Sequence, residues 1–180
     1  MFKKNRLLII ISFLIVIKSF LWMFAIPIFQ APDEISHFAY IQKLGETKKF
    51  INPRVESINS AELIKAAEIL NFNWGESHPV WKTYPDNWQK NLESIQPNSR
   101  TVFIKHEQRA AKNPSLYYWV GSFFYRIFYS YNFIFRFFSA RFYSLLLSFI
   151  TAFICYRTAD IFFKNKLWAL TVASLVVFQP

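Results

Sequence analysis

The feature that most limits what this chain can become is an apolar stretch that directly follows a basic N-terminus. Residues 7–29 are almost wholly hydrophobic, and Lys3, Lys4 and Arg6 precede them. About 20 helical residues cross a hydrocarbon layer of roughly 30 Å. Lys18 interrupts the stretch at a cost of roughly 2.5–3.5 kcal/mol, which the surrounding Leu, Ile and Phe residues offset. Residues 1–29 therefore predict a cytoplasmic N-terminus and a first transmembrane helix.

A cleaved signal peptide is the alternative interpretation of the same stretch. Residues 7–17 have the length of its apolar region and follow a basic segment. Bulky side chains and Pro27 stand where a cleavage site needs small residues, which favours a retained helix. Under either interpretation, the residues that follow are exported across the membrane.

The composition of the whole chain also favours a bilayer as its solvent. Hydrophobic residues make up 53% of the 180 residues and aromatic residues 21%, which is more apolar surface than a water-exposed fold readily hides. The net charge of +10 comes from residues beside apolar runs or scattered in a polar loop. This distribution predicts membrane lipid as a partner and no nucleic acid. Cys155 is the single cysteine, which excludes an intrachain disulfide.

Residues 30–113 are polar and charged, and they are too many for a simple connection. We expect a folded extracytoplasmic loop that contains amphipathic helices near residues 33–44 and 60–71. Pro32 and Asp33 suit the start of the first helix, and Gly45 suits its end. Asn59 is placed to cap the second helix.

Residues 114–180 are apolar again and predict a second, a third and an incomplete fourth transmembrane helix. We expect three arginines to reach the cytoplasmic interface between the second and third spans: Arg126, Arg136 and Arg141. The predicted fold class is an all-α integral membrane protein with about four transmembrane helices and a long extracytoplasmic first loop. The incomplete last span predicts the N-terminal portion of a longer protein.

One charge pattern opposes this topology. Arg157, Lys164 and Lys166 follow the third apolar run and would lie on the outer side of the membrane. Short loops rich in Lys and Arg are instead typical of the cytoplasmic side.

Asp33, Glu34 and His37 are the first residues that could carry chemistry. On a helix, Asp33 and His37 are four residues apart and Glu34 and His37 are three apart, so the side chains share a face. A carboxylate with an imidazole one turn away can act as a general base. It can also bind a divalent cation, with Asp33 and His37 as ligands. Alternatively, acids at a helix start only complement the helix dipole.

A second group precedes the second apolar run. The polar loop has both ends at the same membrane face, so His106 and Glu107 could approach Asp33. The alternative is an aromatic belt with ordinary polar neighbours. His78 has no partner at an informative spacing. The chain has no Walker-type loop, GxGxxG, GxSxG, HExxH or paired CxxC, so a soluble nucleotide-binding transferase is not supported.

Two short motifs resemble those of a known family. Residues 26–38, Ile-Pro-Ile-Phe-Gln-Ala-Pro-Asp-Glu-Ile-Ser-His-Phe, follow a basic N-terminus and one span. This arrangement resembles the first outer loop of the GT-C superfamily of membrane glycosyltransferases, which includes protein mannosyltransferases and lipid A aminoarabinose transferases. The likeness is to bacterial members with a Pro-Asp-Glu-x-x-His-Phe motif. Residues 113–118, Asn-Pro-Ser-Leu-Tyr-Tyr, are similar to the family's His-Pro-Pro-Leu-Tyr-Tyr, from which Asn113 and Ser115 depart.

The resemblance implies an inverting glycosyltransferase that uses a polyprenyl-linked sugar donor at the outer face of the cell membrane. It implies Asp33 as the general base, with Glu34 and His37 as catalytic helpers or metal ligands and a divalent cation as a conceivable cofactor. Four further residues are then expected to bind substrate: His106, Glu107, Arg109 and Tyr117. Because such enzymes carry many more spans, this chain alone is expected to be an inactive fragment.

Two interpretations without transferase activity remain open. A noncatalytic small membrane protein could use its polar loop to bind a partner or lipid. A flippase or transporter subunit would instead rely on Lys18 and Arg126 as charges within the membrane.

Overall fold

A computed structural model describes residues 6–49, 58–72, 84–104 and 115–177 of the chain. Most of these residues lie in seven α-helices, which are α1 (Arg6–Ala25), α2 (Glu34–Thr47), α3 (Ala61–Ile69), α4 (Trp88–Glu93), α5 (Ser115–Ile127), α6 (Phe133–Phe163) and α7 (Lys166–Val177). Strands β1 (Asn59–Ser60) and β2 (Phe103–Ile104) pair antiparallel, and a 3₁₀ turn spans Pro97–Thr101. The described part of the chain is therefore mostly helical.

The chain divides into two compact units. The apolar unit comprises Met1–Ala25 and Phe142–Pro180, and the central unit comprises Ile26–Arg141. Helix α6 is continuous, but its first residues, up to Arg141, belong to the central unit and the remainder to the apolar unit.

In the apolar unit, α1, α6 and α7 meet in a small cluster. Ile15, Ala152 and Val177 are buried there. The ammonium group of Lys18 donates a hydrogen bond of 2.7 Å to the carbonyl oxygen of Val177, near the end of α7. Lys18 thus has a polar partner within an otherwise apolar segment.

Many large apolar side chains of this unit are exposed. Examples from the three helices are Phe13, Leu21, Phe153, Phe162 and Leu175. Such exposure is typical of helices whose surroundings are lipid rather than water.

One helix in the described part of the chain, α6, is long and apolar enough to cross a membrane, with a mean hydropathy of 1.6. The apolar segments Ser12–Ala25 and Lys166–Val177 are shorter. Helix α5 has 13 residues, which at 1.5 Å per residue amounts to about 20 Å. The described residues thus contain one candidate span, whereas the sequence predicts about four.

Helix α2 is the core of the central unit. Its residues from Ile35 to Gly45 are buried on all sides except at His37, which is partly exposed. Helix α5 packs along α2, and the stacked rings of Tyr40 and Tyr118 lie 4.2 Å apart between their centroids. The sequence predicts an amphipathic helix here, whereas the fold covers its polar positions as well.

The ends of α2 and α3 differ from the sequence prediction. Helix α2 continues past Gly45 and ends at Thr47, where Lys48 adopts a left-handed conformation with φ of 55°. Gly45 instead allows close packing, because a Cβ atom there would lie 2.9 Å from Cε1 of Tyr125. Helix α3 is capped by Ser60, not Asn59, since the Ser60 hydroxyl accepts a 3.0 Å hydrogen bond from the Leu63 amide.

Candidate functional site

The loop that leads into α2 holds two residues in the left-handed backbone region. Phe29 has φ of 64° and Asp33 has φ of 54°. Aspartate tolerates this conformation, but a bulky residue such as phenylalanine rarely adopts it. The Phe29 side chain is buried, with its ring edge-on to Phe137 at 5.4 Å between centroids. Tight packing around Phe29 therefore stabilises an unfavourable loop immediately before Asp33.

An ion pair between Glu34 and Arg141 fastens this loop. The two Glu34 carboxylate oxygens accept hydrogen bonds of 2.6 and 2.8 Å from Nε and Nη2 of Arg141. Arg141 also donates to the carbonyl oxygens of Ile26 and Pro27, at 2.6 and 2.9 Å. The Phe29 amide donates to Oε2 of Glu34 at 3.1 Å. Glu34 is thus an anchor for the loop, with its charge neutralised by a forked guanidinium.

Tyr84 adds a further restraint on the same loop. Its hydroxyl donates a 2.7 Å hydrogen bond to the carbonyl oxygen of Ile28. Burial raises the pKa of Tyr84 well above its ordinary value, so the hydroxyl keeps the proton that it donates.

Asp33 differs from its neighbour Glu34 in its surroundings. It is the N-cap residue of α2, yet its side chain makes no capping hydrogen bond and is exposed. Of the two adjacent acids, Glu34 therefore anchors the loop, and Asp33 presents its carboxylate to solvent. A carboxylate on a rigid, strained loop is well suited to meet a ligand, because little conformational entropy is lost on binding.

His37 lies one helical turn after Asp33 and contacts two tyrosines of α5. Its Nδ1 atom is 2.8 Å from the hydroxyl of Tyr118, and the two rings are stacked at 5.7 Å between centroids. The ring of Tyr117 is edge-on at 6.3 Å. Desolvation lowers the pKa of His37 below its ordinary value, although Asp33 and Glu34 act in the opposite direction. The neutral imidazole is therefore favoured near neutral pH.

This pKa shift predicts an acid-sensitive contribution to stability. The unfolded chain binds the His37 proton below about pH 6.5, whereas the folded chain resists protonation until a lower pH. The contribution is therefore full above about pH 6.5 and declines as the pH falls towards the folded-state pKa. Replacing His37 with Gln should flatten the loss of thermal stability between about pH 7 and pH 5, measured by circular dichroism in detergent. An unchanged pH slope in the variant would contradict this assignment.

The predicted site residues are only partly described by the structure. Asp33 and His37 lie at the start of α2, and Tyr117 lies in the facing end of α5. The Glu34 carboxylate is paired with Arg141. His106, Glu107 and Arg109 lie outside the described residues, as does His78.

The described residues do not provide a full set of ligands for a metal ion. No group of three or more His, Cys, Asp or Glu side chains suited to a metal occurs among them. Asp33 and His37 alone offer two donors, and Tyr118 already contacts one ring nitrogen of His37. A divalent cation bound by Asp33 and His37 stays a prediction from the sequence.

Tyr118 is a site residue that the sequence did not single out. Its neighbour Tyr117 was chosen from the motif, yet Tyr118 makes the hydrogen bond to His37. The sequence contains a usable signal, because Tyr118, Ser122 and Tyr125 form a polar stripe at helical spacing on a mostly apolar helix. All three side chains are buried within the central unit.

A buried polar network holds α2 to α3 and α6. The guanidinium of Arg136, 2% exposed, donates to both carboxylate oxygens of Glu62, at 2.5 and 3.0 Å. It also donates to the Tyr125 hydroxyl at 2.6 Å, which in turn donates to Glu46 at 2.6 Å. Gln42 of α2 donates to Glu62 at 2.6 Å. The network fixes the helix that carries His37.

The arginines predicted to reach the membrane interface are all bound inside the central unit. Arg136 and Arg141 pair with glutamates. Arg126 donates to the carbonyl oxygens of Leu44 and Gly45 in the last turn of α2, at 2.9 and 3.1 Å. A cation is favourable there because the last turn of a helix carries the negative end of its dipole, and the Leu44 oxygen also accepts a 3.0 Å hydrogen bond from the Lys48 amide.

No protein-family model, curated protein or solved structure matches this chain. Its function is therefore inferred from the residues and their geometry.

Proposed function

We propose that this chain contributes the base-bearing outer loop of a glycosyltransferase that takes its sugar from a polyprenyl-phosphate donor. In this proposal the protein crosses the cell membrane several times, with a cytoplasmic N-terminus and an extracytoplasmic central unit. Support comes from one observation above the others, which is that Asp33 is exposed on a strained loop while Glu34 and Arg141 fasten that loop. The Pro-Asp-Glu-x-x-His-Phe motif, residues 32–38, supplies the reaction class.

The chemistry asked of Asp33 is modest. The anomeric carbon of the donor already carries a phosphate leaving group, so the main requirement is an acceptor hydroxyl that is positioned and deprotonated. The Asp33 carboxylate takes the hydroxyl proton as the acceptor oxygen forms its bond to the anomeric carbon. The bond from that carbon to the phosphate oxygen breaks on the opposite face of the sugar, which inverts its configuration, and the phosphate leaves with the electron pair.

Glu34 and Arg141 act as positioning residues in this scheme. Arg141 donates to the carbonyl groups of Ile26 and Pro27, which precede the strained Phe29. His37, with a lowered pKa, is a neutral hydrogen-bonding neighbour rather than a second positive charge near the base. Arg100 is engaged by Glu46 at 3.5 Å and by the ring of Tyr129, so it is not assigned to the leaving phosphate.

Exchange of the Asp33 codon for Asn in the chromosomal gene tests the proposal on the protein as the cell makes it. Loss of the general base should slow transfer by about 10²–10⁴-fold. The polyprenyl-phosphate-linked sugar should then accumulate in membrane extracts, as measured by mass spectrometry, while the amount of inserted protein is unchanged.

Asp86→Asn is the matched control, because Asp86 is also an exposed aspartate of the central unit. It should leave the pool of lipid-linked sugar at the wild-type level. If Asp33→Asn also leaves that pool unchanged, Asp33 is not the base, and a noncatalytic loop that binds a partner or lipid becomes the better account.

A further inference from the structure

Helix α5 has the reverse of the polarity expected for a helix exposed to water. Its buried face carries the polar groups of Tyr118, Ser122 and Tyr125. Its outer face is apolar and exposed, with Leu116, Trp119, Phe123 and Ile127 between 52% and 70% accessible. In water the apolar face would be the buried one. The outer face of α5 is therefore suited to contact lipid.

The described part of the same helix is shorter than the hydrocarbon core of a bilayer. Residues Ser115–Ile127 extend over about 20 Å, compared with roughly 30 Å for a hydrocarbon core. The polar groups around it also have partners within the central unit, including the Arg126 contacts with α2. A helix with one apolar face and one polar face is typical of segments that lie in the membrane interface.

Within the apolar unit, the contact between α1, α6 and α7 gives a reference point from which distances along each helix can be measured. Lys18 and Val177 are hydrogen-bonded, and Ala152 belongs to the same cluster as Val177. Val177 lies 11 residues after Lys166 at the start of α7, and Ala152 lies 11 residues before Phe163 at the end of α6. This separation amounts to about 16 Å along each helix.

In α1, only the N-terminal side extends over a similar distance from this contact. Lys18 lies 12 residues after Arg6 but seven residues before Ala25, where α1 ends. Arg6 therefore lies about as far from this contact along α1 as Lys166 does along α7. These distances are compatible with basic helix ends at one membrane face.

We infer that α5 does not cross the membrane but lies in the outer leaflet interface, with its apolar face in contact with lipid. Helix α6 then carries the chain from the outer side to the cytoplasm. Arg157, Lys164 and Lys166 become cytoplasmic together with the basic N-terminus, in agreement with the positive-inside rule. The exposed Trp119 is suited to the interface, where tryptophan is enriched. This inference is independent of the proposed transferase activity.

Cysteine accessibility in intact cells tests the topology. In a Cys155→Ser background, single cysteines replace three exposed residues: Asn98 in the 3₁₀ turn, Ser130 between α5 and α6, and Asn165 between α6 and α7. A membrane-impermeant maleimide should label positions 98 and 130 in intact cells and position 165 only after the membrane is permeabilised. Labelling of positions 98 and 130 from opposite sides would make α5 a span and overturn the inference.

A spin label at Phe123→Cys in liposomes of phosphatidylethanolamine and phosphatidylglycerol tests the lipid contact. The label should be more accessible to oxygen, which concentrates in lipid, than to a water-soluble nickel chelate. A label at Ser130→Cys should show the opposite preference. Greater accessibility of position 123 to nickel would show a water-facing helix, and low accessibility to both reagents would show a protein partner. Either of these results would overturn the lipid assignment.

Discussion

Replacing Arg136 with Met is expected to lower the free energy of unfolding of the central unit by about 3–5 kcal/mol. The substitution leaves the Glu62 carboxylate buried without its guanidinium partner, and an uncompensated buried charge is strongly destabilising. It also removes the donor to the hydroxyl of Tyr125. Thermal unfolding in detergent, followed by circular dichroism, should show a midpoint lower by at least about 10 °C.

Two companion variants separate loss of the ion pair from loss of an arginine. Arg157→Met removes an exposed arginine of the same helix and should cost less than about 0.5 kcal/mol. Adding Glu62→Leu to Arg136→Met removes the orphaned charge and should recover a large part of the lost stability. If Arg136→Met costs no more than Arg157→Met, the buried pair contributes nothing.

The second large effect is expected at Arg141. Its replacement by Met removes the partner of Glu34 and the donors to the Ile26 and Pro27 carbonyl groups. Both side chains of the pair are largely buried, with 10% and 15% of their surface exposed, so water replaces the lost bonds poorly. We expect a loss of about 2–3 kcal/mol, measured by the same thermal unfolding.

Hydrogen exchange should place the Arg141→Met effect in the loop. The amide of Phe29, which is bonded to Glu34, should exchange faster in the variant, whereas α3 amides should change little. Arg141→Lys keeps the charge but cannot donate in forked geometry, so it should recover only part of the stability. Unaltered exchange at Phe29 would remove Arg141 from its anchoring role.

Local sequence patterns located several elements closely. The acids and apolar spacing after Pro32 indicated a helix over residues 33–44, where α2 runs from Glu34 to Thr47. The second helix was expected over residues 60–71, where α3 runs from Ala61 to Ile69. Both depend on signals within one or two turns, such as a capping residue and an apolar face, that a single segment carries by itself.

Local sequence signals do not predict contacts between residues that are distant in the chain. Arg136 and Glu62 are 74 residues apart, and Arg141 and Glu34 are 107 apart, so no periodicity connects them. Three arginines near apolar runs were therefore expected at an interface, although the central unit binds them all. The different environments of Asp33 and Glu34 cannot be predicted for the same reason, because Arg141 binds Glu34 and leaves Asp33 exposed.

Gly45 and Tyr125 are coupled in size. The Tyr125 ring cannot move aside cheaply, because Arg136, Glu46 and Gln42 hold its hydroxyl. Any side chain at position 45 would overlap the ring unless position 125 became smaller. Distant homologues should therefore show a compensating pair, in which a larger residue at position 45 appears only with a non-aromatic residue at position 125. This covariation would offer a way to recognise relatives of the chain in which residues 32–38 have diverged.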